Sequence, residues 1–177
     1  KNGEDVKSRS STVMLNNFKA GLTNRVDLQV VVESYSHART TDRIAGTTEK
    51  ASGFGDITTR LKYNFWGNDG GDTALAMMPF IKFPTNQDDL GNDDVEGGVI
   101  VPLAIALPHD LGLGLMTQLN WNKEGDDTGY APEFVNSITL GVPLTEGLGM
   151  YTELWTAKST DTGADWQASF DVGFTYG

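Results

Sequence analysis

The chain has 177 residues, with 13 Lys and Arg against 24 Asp and Glu for a formal net charge of -11, and 38% of it is apolar. That length allows one domain of ordinary size and scarcely two, and with 21 glycines the apolar content is that of a folded chain. Nucleic acid is not an expected partner, because a duplex-binding surface needs clustered positive charge. The lack of cysteine excludes disulfides, thiol catalysis and cysteine-ligated metal centres and leaves the compartment open.

No stretch sustains an apolar face at the helical spacing, whereas period 2 recurs along the chain. A first, weakly alternating strand is predicted over 12–21. In the second, Val26, Leu28, Val30 and Val32 share one face, with Asp27, Gln29 and Glu33 on the other. In the third, Ile57, Leu61, Tyr63 and Phe65 oppose Asp56, Thr58, Arg60, Lys62 and Asn64. Leu75, Met77, Ile81 and Phe83 then oppose Ala74, Ala76, Met78, Phe80 and Lys82. Val99, Val101, Leu103, Ile105 and Leu107 form the next apolar face, and Leu111, Leu113, Leu115, Thr117 and Leu119 follow the turn PHD. Phe134, Ile138, Leu140 and Val142 make a further face, as do Leu148, Met150 and Leu154. The cleanest is last, with Trp166, Ala168, Phe170, Val172, Phe174 and Tyr176 against Asp165, Gln167, Ser169, Asp171, Gly173 and Thr175. The visible count is nine strands.

The connections alternate in length. LTNR (22–25), WGNDGGD (66–72), PHD (108–110) and LTEG (144–147) are short; residues 40–54, 84–97, 120–132 and 157–165 are long. Short turns at one end and long loops at the other are the pattern of an outer-membrane barrel. There the sheet must close, because hydrocarbon offers no partner to an unpaired N–H or C=O. The fold class expected is therefore all-β, an antiparallel up-and-down transmembrane barrel of bacterial outer-membrane type, occupying residues 1–177 as one domain. A soluble barrel that turns its apolar face inward and binds an apolar ligand is the alternative from periodicity alone. Two features favour the membrane barrel. The apolar faces carry almost no charge, and aromatics (Tyr35, Phe65, Trp66, Phe83, Trp121, Phe134, Trp155, Trp166, Tyr176) are expected near strand ends, where an interfacial girdle would sit. Residues 98–119 are the most apolar stretch, but a helix there would hold Pro102, Pro108 and Asp110 in the bilayer, so two strands are expected instead. Nine is odd, and an odd count leaves an open edge. It predicts a chain truncated at one or both ends, unless the first strand is miscounted.

GFGDITTRLKYNFWG (53–67), ALAMMPFIKFPT (74–85), GGVIVPLAIALPHDLGLGLMTQ (97–118) and FDVGFTYG (170–177) together resemble the phenol-degradation meta-pathway proteins, an outer-membrane barrel family described as transporters. GLTNRVDLQV (21–30) is similar to the family's Gly-Leu-Thr turn and following strand. The intact protein is expected to be a closed barrel of about 12 strands, with a modest pore for diffusion of a small solute. The resemblance covers most of 12–177 and implies further strands and aromatic or hydrophobic solutes. Its motifs are glycine, turn and strand patterns, so no site residue is carried over from it.

By parity, the lumen-facing candidates are Asp27, Glu33, Asp56, Arg60, Lys62, Lys82, Glu153 and Asp171. Arg60, Lys62 and Lys82, on neighbouring strands, are expected to form a positive stripe. The only histidines, His37 and His109, are separated, so no catalytic set, resident metal or cofactor is expected. NDGGDT (68–73) and GNDDVEG (91–97) hold oxygen ligands near glycines, yet neither fits the twelve-position calcium loop; Asp88, Asp89, Asp93, Asp94 and Glu96, and Glu124, Asp126, Asp127 and Glu133, make two acidic loops. They are expected to face water, with diffuse bridging of divalent cations to lipid head groups as the alternative. The partners expected are outer-membrane lipid and a small-molecule solute. A structural barrel without conductance is the competing function.

Overall fold

A computed structural model describes residues 6–88, 90–123, 129–161 and 163–177. The strands are β1 (Val6–Gly21), β2 (Val26–Asp42), β3 (Thr47–Gly53), β4 (Ile57–Trp66) and β5 (Thr73–Phe83), then β6 (Glu96–Ala106), β7 (Gly112–Lys123), β8 (Tyr130–Thr145), β9 (Leu148–Ser159) and β10 (Gln167–Tyr176). All neighbours pair antiparallel in the order β1-β2-β4-β5-β6-β7-β8-β9-β10, with β3 attached only to β2. The result is an up-and-down sheet that curls into a half-barrel. Among the described residues no helix is long and apolar enough to cross a membrane, which says nothing of strands.

The strand β3 corrects the expectation of a loop over 40–54. Residues 36–42 and 47–53 pair as a ribbon closed by a turn in which Asp42 Oδ1 accepts from the N–H groups of Ile44 and Ala45. Thr47–Gly53 (TTEKASG) buries neither face, so no period-2 signal marks it. The turn at 107–111 behaves as its composition implies. His109 and Asp110 both have positive φ, 65° and 58°, the two-residue geometry that matches strand twist. His109 is thus a turn residue.

In an antiparallel pair, directly opposed residues share a face, so the register extends the sequence parity across the sheet. One row runs Leu75, Leu103, Leu115, Ile138, Leu154 and Phe170 over six successive strands. The adjacent row, one residue along, runs Ala74, Ala104, Gly114, Thr139, Glu153 and Asp171. The first face is outer. Across β4–β10 it bears no carboxylate, and its cations, Lys123 and Lys158, stand where those strands meet the long connections. The second face is inner. Val31, Ala76, Ile100, Ala131, Val135 and Ala157, the buried apolar side chains among the described residues, all belong to it, together with buried Gln29. Large apolar residues on the outer face are exposed instead: Ile138 is 44% accessible, Leu154 47% and Phe170 69%. This inverts the arrangement of a soluble sheet, which hides its large apolar side chains.

Small residues on the inner face have local causes. A Cβ on Gly98 would lie 2.5 Å from the Leu119 carbonyl oxygen and 2.7 Å from the Phe80 ring. On Gly173 it would strike the Tyr151 ring at 2.3 Å. Trp155 pairs with Ser137 and Ser169 on the inner face, so it is not part of an outer girdle, and Tyr35 lies well inside β2. Phe83, Trp121, Tyr130 and Phe134 are exposed at the long-loop end of the outer face, and Tyr63, Phe65, Trp66, Phe174 and Tyr176 at the other. An irregularity between Asn64 and Trp66 brings Trp66 opposite Leu75, where its indole N–H donates to Thr73 Oγ1.

Candidate functional site

The inner face has two zones. At the long-loop end, Asp56 precedes β4 and its side chain is fully buried. Its carboxylate lies 3.1 Å from Lys82 Nζ and accepts from Asn86 Nδ2 and from the Asn92 backbone N–H, both at 2.8 Å. Burial opposes ionisation, yet the Asn92 N–H, the Asn86 amide and the Lys82 ammonium together outweigh it and hold the Asp56 carboxyl below its usual range. Lys82 also donates to Asn92 Oδ1 at 3.0 Å, and Asn92 Nδ2 donates to Glu96. Glu96 Oε1 accepts the Lys123 backbone N–H. Asn86 and Asn92, between β5 and β6, are therefore held against the inner face. Glu133 continues the polar band, accepting from Asn120 and Asn122 at 2.9 and 3.2 Å, while Gln118 donates to Asn120.

Toward the short-turn end, the face is lined by Asn64, Ala74, Ala76, Ala104, Gly114 and Thr139 around a groove of about 290 Å³, with Lys62 on its wall. Lys62 stands opposite Asp27, but Asp27 pairs with Lys19 at 2.9 Å. Arg60, two residues along, lies between Gln29 and Phe80, and its buried Nε has no hydrogen-bond partner among the described residues.

The eight sequence candidates thus separate. Asp56 and Lys82 form one buried cluster. Asp27, Arg60, Lys62, Glu153 and Asp171 lie along the inner face, with Glu153 and Asp171 opposed on β9 and β10 and Asp171 accepting from Ser169 Oγ. Glu33 sits beside Asp56 in the chain's path: its N–H donates to the Asp56 carbonyl and its own carbonyl accepts from Gly55. The expected stripe of three cations is corrected to two, because Lys82 is neutralised by Asp56. Glu96 and Glu133, expected in solvated loops, belong to strands and bond on the inner face. Asp89, Glu124, Asp126 and Asp127 lie outside the described residues. Asn86, Asn92 and Asn120 are not singled out by sequence, whereas parity places Gln118 on the face opposite Leu115. Of the first three only Asn120 carries a usable signal, its even position between Leu119 and Trp121.

Fold and faces define the class: an up-and-down antiparallel barrel-type protein with apolar residues outside and a polar, small-residue interior. Residues 6–177 match the family described as "Putative MetA-pathway of phenol degradation", and the chain belongs to that family. No curated protein matches it.

Proposed function

We propose that the protein is an outer-membrane channel for passive diffusion of small solutes, aromatic compounds among them, and not an enzyme. The observation that supports this best is the inversion of faces: a carboxylate-free apolar exterior over β4–β10, suited to lipid, around an interior of Arg60, Lys62, Glu153, Asp171 and small residues, suited to water. Passage requires only a wet, weakly binding route. Arg60 and Lys62 on β4 face the inner space from one wall, and Glu153 and Asp171 from β9 and β10. Opposed charges of this kind set up a transverse field that orients a polarisable or weakly acidic solute without trapping it. The family's description, phenol degradation, supports a phenol-like solute.

The polar band from Asp56 to Glu133 favours a second reading, a barrel whose interior is plugged and whose role is structural. Single-channel recording in planar bilayers separates the two. A channel conducts, and replacing Arg60 and Lys62 with Gln shifts its reversal potential toward cation selectivity and lowers aromatic-acid flux. A folded protein with no conductance before or after the change establishes the plugged reading.

A further inference from the structure

The chemistry around Asp56 does more than neutralise a buried charge. Lys82 and Glu96 oppose each other on the inner face, and the Asn92 side chain bridges them, accepting from the first and donating to the second. Residues 84–88 and 90–95 are therefore tied to the inner side of the strand ends, at the long-loop rim of β4, β5 and β6. Further contacts fix the same segment. Gln87 N–H donates to the Phe54 carbonyl at 2.9 Å, the Ile57 N–H donates to Thr85 Oγ1 at 3.0 Å, and Tyr130 OH donates to the Val95 carbonyl at 2.8 Å. Gly91 rests on the Asp56 carboxylate so closely that a Cβ there would meet Oδ2 at 2.4 Å. The segment is anchored at both ends and in its middle, and the middle anchor is one ionised side chain with three donors.

We infer that Asp56 is the positioning residue that holds residues 84–88 and 90–95 as the size-selecting constriction at the long-loop end of the channel, an inference that rests on the channel reading. Diffusing solutes need not touch Asp56. It acts through Asn86, Asn92 and Lys82, which keep the segment folded inward and the opening narrow. Removing its carboxylate frees Asn86, the Asn92 N–H and the Lys82 ammonium to bond water, and the segment swings out.

The test uses the full protein in liposomes and a swelling assay with neutral sugars of increasing size, so that charge selectivity does not enter. Asp56→Ala should raise the rate of the larger sugars several-fold relative to the smallest, while Asp27→Asn, whose ion pair with Lys19 lies away from the segment, should leave the ratio unchanged. A merely structural loss is separated by a redox lock. The chain has no cysteine, and a Cβ on Gly53 would lie 3.1 Å from Gln87 Cβ, within a few tenths of disulfide range. Gly53→Cys with Gln87→Cys, added to Asp56→Ala, should restore the narrow limit when oxidised and lose it when reduced. If Asp56→Ala does not fold, Asn86→Ala with Asn92→Ala carries the same comparison. An unchanged size limit in folded variants of a permeable protein overturns the inference alone, as does failure of the cysteine pair to cross-link in an otherwise native chain. A folded wild-type protein impermeable to every solute overturns the channel reading and this inference with it.

Discussion

Ile138→Arg is the sharpest probe of which face meets lipid. Ile138 sits at the middle of β8, opposed by Leu115 on one side and Leu154 on the other, and is 44% accessible. The 16 residues of β8, at about 3.3 Å each and tilted about 40°, stand roughly 40 Å tall, more than the apolar band of about 25 Å. If the strand spans a bilayer, its midpoint is the part farthest from water on either side. An Arg there should cost about 2–4 kcal/mol in a bilayer, a factor of about 30 to 1,000 in the folding equilibrium. Thr139→Arg, one residue along, points to the inner face opposite Glu153 and should stay within about 1 kcal/mol. Equilibrium denaturant titrations of both variants, folded into the same lipid vesicles, measure the difference. Were the outer face wetted, Ile138→Arg would fall within about 0.5 kcal/mol of wild type, as exposed substitutions do. Equal costs, or a larger cost at Thr139, would refute the assignment of the faces.

Two further outcomes are expected. In vesicles carrying brominated acyl chains, Trp121→Phe should remove part of the lipid quenching of tryptophan fluorescence, whereas Trp155→Phe, on the inner face, should remove little; the reverse order would place Trp155 outside. Because the Asp56 carboxyl is held below its ordinary value of 3.8, its contribution to stability is present above that value and is lost as pH falls through the lower, folded one. The stability gap between wild type and Asp56→Asn should therefore be constant near neutrality and shrink in acid, and a gap that widens in acid would contradict the assignment.

Much of this protein was legible in its sequence because alternation is a one-dimensional signal. Wherever one face of a strand is apolar and the other is not, successive side chains report the two environments directly. Leu113, Leu115, Thr117 and Leu119 need no partner to declare a face, and the PHD turn declares its own reversal. Parity even contained Trp155's true position, beside Leu154 on the opposite face, although its place near a strand end argued for a girdle. Where both faces of a ribbon are wet, as in Thr47–Gly53, the signal vanishes and the sequence looks like a loop.

The partners of the charges were another matter. Asp56 and Lys82 are 26 positions apart, and Asn92 lies in a segment without periodicity; only the register of β4 on β5 and β5 on β6 brings them together. Composition marked 84–97 as an acidic, glycine-bearing loop that water should claim. The tertiary structure folds it onto Asp56 because a buried carboxylate needs several donors, and that loop supplies two of them. Faces follow from the order of residues along one strand, whereas pairing of charges depends on which strands become neighbours and at what register, and this is settled only when the whole sheet forms.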